Sequence, residues 1–229
     1  MANNSTAGFG CRQTMTVGNT PATGGQSEFL VQGGAAPGVT RPIFKGAPVG
    51  MQTAAGGAGV LGFIQDQTAA AMTDNVAGGA VWAAGTGGRN LSLGVFNGAT
   101  FVDVTGKPSW TNGLAGGQTS AIDYNTGSNN ITAFVNTNPD QEYTVRADAA
   151  LTNASFNTLT NVGFNLNTAG AGRNGMSDSS LDLSGVATTG VANYMWKIVR
   201  SANVMNQQDF TVPGADIIVS YSNNAAAYK

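Results

Sequence analysis

Short apolar runs separated by glycine- and asparagine-rich turns dominate the chain. Where a period is visible, it is closer to two than to 3.6, the signature of strands. Glu28-Phe29-Leu30-Val31-Gln32 reads as a strand that Gly33-Gly34-Ala35-Ala36-Pro37-Gly38 breaks. Pro42 to Val49 reads as a second extended piece with a turn in it, because Pro48 holds Ala47 out of the α region. Val60-Leu61-Gly62-Phe63-Ile64 is a buried-strand candidate. Leu91-Ser92-Leu93-Gly94-Val95-Phe96 and Ala99-Thr100-Phe101-Val102-Asp103-Val104 flank Asn97-Gly98. That dipeptide favours positive φ at both turn positions and predicts a tight hairpin. Leu91, Leu93 and Val95 then share one apolar face.

Ile131 to Val135 and Glu142 to Arg146 predict strands on either side of an Asn138-Pro139 turn. Tyr194 to Val199 and Asp216 to Tyr221 predict two late strands. Between them, Leu151, Ser155, Leu159 and Val162 recur at helical spacing and predict a short helix over 150–162. Residues 105–130 and 168–180 read as loops, with Trp110 as an apolar anchor in the first. No fixed-period repeat and no clean linker divides the chain. The pattern predicts a mainly β protein, an antiparallel β-sandwich or barrel with a short helix and glycine-rich loops. Residues 1–28, polar but for Phe9, Met15 and Val17, read as an extended N-terminal arm. Residues 29–229 read as a single β-rich body.

Composition narrows the chemistry. The 229 residues include 33 Gly, and only 10% are charged, with a formal net charge of -2. Leu, Ile, Val and Phe make up about a fifth of the chain, so the core is built largely from small residues. There is no histidine and one cysteine. A Ser-His-Asp triad, a Cys-His dyad, an imidazole metal site and an intramolecular disulfide are therefore excluded. Ten basic residues argue against wrapping nucleic acid. No window holds about 18 uninterrupted strongly apolar residues, so no transmembrane helix is expected. The opening Met1-Ala2-Asn3-Asn4-Ser5 lacks a basic and an apolar signal region, so synthesis in a cytosol without Sec export is expected.

Motifs that could carry chemistry are incomplete. Gly98 to Lys107 has the wrong spacing for a phosphate loop, and Pro108 stands where a magnesium-binding hydroxyl belongs. Gly175-Met176-Ser177-Asp178-Ser179 lacks the final glycine of a nucleophile elbow and has no histidine base. Asp178 and Asp182 bring oxygens near each other, but without the Asp-x-Asp-x-Asp-Gly pattern of a calcium loop they read as turn chemistry. Asp140 and Glu142 are the closest carboxylate pair and would share a face on a strand. Trp110 and Trp196 read as core anchors. Cys11 reads as a small apolar contact, with Arg12 pointing the other way on a strand. No catalytic residue, cofactor or metal is expected.

Gly8-Phe9-Gly10-Cys11-Arg12, Phe29-Leu30-Val31 and Ile43-Phe44-Lys45-Gly46-Ala47-Pro48-Val49 open a longer succession of motifs. It continues with Leu93-Gly94-Val95-Phe96-Asn97-Gly98, Asn138-Pro139-Asp140-Gln141-Glu142-Tyr143-Thr144-Val145 and Gly172-Arg173-Asn174-Gly175-Met176-Ser177. This order resembles the head decoration, or cement, proteins of tailed phages, especially marine and cyanobacterial ones. The resemblance spans nearly the whole chain in short, degenerate motifs. Two departures stand out: Gly46-Ala47-Pro48-Val49 replaces the family's Gly-Asp-Pro-Val, and Gln13 follows Arg12 where the family has proline. The resemblance implies a non-enzymatic virion protein, made in the host cytoplasm and bound to the outer capsid surface. Its partner would be the major capsid protein, contacted by the arm through Phe9, Cys11 and Arg12. Self-association, as a homotrimer, follows by the same analogy. Two alternatives remain open: another virion β-protein (a capsid fibre, neck or tail component, or shell subunit), or a glycan-binding module.

Overall fold

The computed structural model describes residues 7–16, 20–21, 25–31, 43–52, 63–66, 92–103, 105–114, 131–151, 163–164, 166–167, 175–181, 183, 196–202 and 209–221. The described strands run in chain order as β1 (Arg12–Thr16), β2 (Thr20–Pro21), β3 (Gln26–Val31), β4 (Ile43–Phe44), β5 (Pro48–Gln52) and β6 (Phe63–Asp66). Then come β7 (Ser92–Val102), β8 (Pro108–Thr111), β9 (Gly113–Leu114), β10 (Ile131–Asn136) and β11 (Gln141–Arg146). The last are β12 (Gly163–Phe164), β13 (Leu166–Asn167), β14 (Ser180–Leu181), β15 (Trp196–Ser201) and β16 (Asp216–Tyr221).

The protein is mainly β, and its strands pair antiparallel. One sheet has the order β12-β15-β16-β11-β1-β2. A second six-stranded sheet has the order β3-β10-β7-β5-β6, with β8 also paired to β7, and two further two-stranded sheets pair β13 with β14 and β4 with β9. The end strands of the second sheet, β3 and β6, bring Cα atoms within 8 Å of each other, so this sheet curls toward a barrel. No helix among the described residues is long and apolar enough to cross a membrane.

Two cores follow from these sheets. Cys11, Val95, Tyr143, Val145, Trp196, Ile198, Ile217 and Val219 pack on one face of the first sheet, with Leu151 and Leu181. Tyr143 and Trp196 meet edge to face, their ring centroids 5.5 Å apart. Ile43, Ala47, Val49, Phe96, Ala99, Leu114, Ile131, Ala133 and Val135 form the second core, associated with the curled sheet. Successive side chains on a strand point opposite ways. Strand β7 uses this directly, sending Val95 to the first core and Phe96 to the second.

The expected strands near 28–32, 43–49, 131–135, 142–146, 194–199 and 216–221 are present, with shifted ends. The predicted hairpin is not. Strand β7 runs through Asn97-Gly98 without reversing. Its register with β10 slips there: Phe134 faces Gly98, but Val135 faces Phe96, which leaves Asn97 as the extra residue of a β-bulge. Gly98 has φ +137°, so the positive-φ signal is real but serves a bulge. Pairing with β10 along one side, and with β5 and β8 along the other, outweighs the local turn preference. The stretch expected as a loop from residue 105 contains β8 and β9, because β8 adds to β7 and β9 pairs β4. The helix expected over 150–162 lies outside the described residues beyond Ala150 and Leu151.

The N-terminal segment is extended, as expected, but it is not a separate arm. Strand β1 is hydrogen-bonded between β11 and β2 inside the first sheet. Just before it, the backbone threads a narrow crossing. Gly10 N–H donates to Ser179 O at 2.9 Å, and Cys11 N–H donates to Gly46 O at 2.8 Å. Gly46 N–H in turn donates to Phe96 O, and Ser177 N–H donates to Lys45 O, each at 2.8 Å. A Cβ on Gly8 would sit 2.0 Å from the carbonyl oxygen of Asp178, so no side chain fits. Residues 8–16 are thus packed and hydrogen-bonded against the sheets.

Gly8→Ala should lower stability by about 3 kcal/mol or more, because backbone must move away from backbone. Gly25→Ala, where nothing lies within 4 Å, should change it by less than about 0.5 kcal/mol. Urea denaturation of the two variants checks this; equal midpoints would mean that the crossing tolerates a side chain.

Candidate functional site

Phe9, Cys11 and Arg12 are the residues the sequence singles out, and alternation along the entry to β1 separates their fates. Cys11 turns inward and is buried in the first core. Burial pushes its thiol well above the ordinary 9.0, so the residue stays an uncharged apolar contact. Phe9 is also buried. The guanidinium of Arg12 lies 4.1 Å from its ring centroid and that of Arg146 lies 4.6 Å from it. Both distances suit cation–π attraction. Phe9 and Cys11 are thus internal contacts in this chain and are not surfaces open to a partner. The reason is that the segment's apolar positions find a core at home. Arg12 remains exposed.

Arg146 anchors this corner. It faces Asp216 across the β11–β16 pair, with Nε donating to Oδ1 at 2.8 Å and Nη2 donating to Oδ2 at 3.3 Å. Its Nη1 donates to the carbonyl of Ala7 at 2.7 Å. One guanidinium therefore joins β11, β16 and the N-terminal segment. Farther along, Gln13 Nε2 donates to Gln141 Oε1 at 2.9 Å, and Gln141 Nε2 donates to Met15 O at 2.7 Å. Thr14 Oγ1 donates to Glu142 O at 3.1 Å. Arg12, Gln13 and Met15 are the exposed residues of β1, and Met15 is 42% exposed despite its apolar side chain.

The other candidates resolve into structural roles. Asp140 and Glu142 sit in different surroundings. Asp140 is exposed in a turn, its N–H donating to Asn138 Oδ1 at 3.0 Å. Glu142 is buried against Arg200: Nη1 donates to Oε1 at 2.9 Å, and Nη2 lies 2.6 Å from Oε2 in ionic contact. In the stretch that loosely resembles a phosphate loop, Asp103 Oδ1 accepts from the Thr105 hydroxyl at 2.6 Å and from the N–H groups of Thr105 and Lys107. Those bonds, the Thr105 hydroxyl first, hold the Asp103 carboxyl below the usual range. The amides an anion would need already serve the chain's own carboxylate. Ser177 and Ser179 share a buried hydroxyl contact at 2.8 Å. Asp178 is partly buried, while Asp182 lies outside the described residues. Among the described residues no three His, Cys, Asp or Glu side chains gather as metal ligands.

Trp196 is fully buried, the core anchor expected of it. Trp110 is not: it stands 51% exposed on β8. The signal lay in its neighbours, since Ser109, Thr111 and Asn112 are polar and leave an isolated indole in an outward-facing run. Compared with known proteins, the chain matches no family model, no curated protein and no solved structure.

A thiol whose folded pKa is raised contributes stability below its unfolded pKa and loses it as pH rises beyond that value. Above pH 9.0, the ordinary thiol value, the wild type should lose about 1.4 kcal/mol per pH unit from this source. Cys11→Ala should lack that share of the alkaline slope. Denaturant midpoints from pH 8 to 10.5, a range of about 2.5 units, check it; parallel slopes would refute the buried thiol.

Proposed function

We propose that this chain is a virion structural protein, a decoration or cement protein bound to the outer surface of a tailed-phage head, where it stabilises the major capsid protein shell. The observation that carries the reading is the succession of motifs from Gly8-Phe9-Gly10-Cys11-Arg12 to Gly172-Arg173-Asn174-Gly175-Met176-Ser177. The use made of those motifs supports it. Gly8 and Gly10 sit against the 177–179 backbone, Gly46 against Cys11, and Asn97-Gly98 at the bulge. They are framework positions, as motifs common to a structural family should be.

The ionisable side chains add support. Glu142 is committed to Arg200, Arg146 to Asp216, and Asp103 and Asp209 to their own loops. Such pairing builds a scaffold. The exposed residues of β1, Arg12, Gln13 and Met15, are the part of this strand left for the shell. Its contacts are modest, but many symmetry-related copies acting together would add up across a capsid. Binding the assembled shell and not its dissociated subunits would stabilise it by mass action. Self-association, as a homotrimer, is part of the proposal.

Removing residues 1–28 would delete β1 and Cys11 and so test folding, not docking. Arg12→Glu with Met15→Glu changes two exposed side chains while keeping β1 and Cys11, and Arg146 still covers the Phe9 ring. The wild type should co-sediment with undecorated capsids of its source phage, and the double variant should bind about tenfold more weakly. Far-UV circular dichroism of the two should agree. Wild-type protein that stays in the supernatant would overturn the proposal; equal binding of the variant would move the docking surface off β1.

A further inference from the structure

We infer that the outward face of the curled sheet around Trp110 is a stacking site for a neutral sugar ring. This stands on Trp110 and its neighbours and does not depend on the virion reading. Trp110 is the exposed large aromatic among the described residues. The chain holds it in place from several sides. A Cβ at Gly98 would lie 2.3 Å from Trp110 Cζ2, so the indole occupies space that only a glycine leaves open. The bulge at Asn97 sets the backbone that makes this seat, and bulges recur where a side chain must be re-aimed. The Phe134 ring supports the indole with centroids 5.3 Å apart and planes tilted by 32°. Trp110 Nε1–H donates to Asn112 Oδ1 at 3.2 Å, which fixes the ring's direction. A glycine, a bulge, a second ring and a hydrogen bond thus keep an exposed indole still.

The surroundings define the ligand. Thr100 stands opposite Trp110 on β7, and Thr132 stands opposite Thr100 on β10. Both are half-buried and share the outward face. Glu28, exposed on β3, stands opposite Phe134. These registered positions supply two hydroxyls and one carboxylate, and no cation. Nucleic acid would need positive charge here. One indole and one ring edge are also too little apolar area for the core of a stable protein interface. A pyranose suits the arrangement: its C–H face lies on the indole, and its hydroxyl edge meets groups that donate and accept.

Affinity electrophoresis of the full chain through gels containing dextran, galactomannan or laminarin tests the site. At least one polysaccharide should retard the wild type. Trp110→Ala should weaken that retardation about tenfold, Trp110→Tyr should keep most of it, and Thr132→Val should cost a few-fold. Urea midpoints should match the wild type for the tyrosine and valine variants, which guards against a folding artefact. No retardation by any of the three, or equal retardation of Trp110→Ala, would overturn the inference. So would a change in sedimentation coefficient without a change in retardation, which would make Trp110 a contact between copies. Co-sedimentation with capsids, run on the same variants, separates the outcomes: loss of capsid binding at Trp110 with no sugar binding would assign this face to the shell.

Discussion

The fold depends on bringing polypeptide backbones together with no side chains between them. At the crossing of residues 8–11, 45–47, 95–96 and 177–179, peptide groups from distant parts of the chain bond directly to one another. Buried peptide groups must be paired, so each strand passing through is fixed by the others' donors and acceptors. This crossing ties the N-terminal segment to β7, since Gly46 bonds both Cys11 and Phe96. It also gives a physical reason for part of the glycine content: at Gly8 the neighbouring carbonyl leaves no room even for a methyl group. A protein with sparse large apolar side chains can still be ordered when its backbones interlock.

From that crossing the two cores divide the work. Strand β7 faces both, and the loop carrying Gly46 ties it to the N-terminal segment. Charged groups then close the periphery. Arg146 holds the segment's carbonyl and Asp216 together, while Arg200 covers Glu142. These are partly buried ion pairs whose loss would leave a charge without its counterpart. Among the described residues, Arg12 and Met15 stand exposed on one sheet and Trp110 on the other.

Legibility in the sequence followed the range of the interactions. Strands such as β10, β11 and β16 were readable because β-branched and aromatic residues concentrate there between turn signals. Asn97-Gly98 was legible as a glycine conformation but not as a bulge. A dipeptide cannot report that partners lie on both sides of its strand. The loops around β8 and β9 hid strands for a related reason, since Pro108-Ser109-Trp110-Thr111 has weak alternation and owes its form to β7. For the candidate site, the alternation that sends Cys11 inward and Arg12 outward was readable. The burial of Phe9 beneath two guanidiniums was not, because Arg146 is far away in sequence. Trp110 was misplaced because an aromatic residue's prior favours the interior, and its seat at Gly98 is a tertiary fact.

Strand β1 has one further consequence, for the order of assembly. Its partner β11 is separated from it by 128 positions at the Gln13–Gln141 contact, and the carbonyl that receives Gly10 lies farther on still. Strand β2 and Gly46 are made soon after β1, but β11, its long partner in the sheet, follows only after about 125 further residues. Closing so long a loop is slow, and the waiting edge is open to any other nascent copy. Strand β1 is thus among the last of the described strands to settle fully, and its pairing locks work done much later in translation.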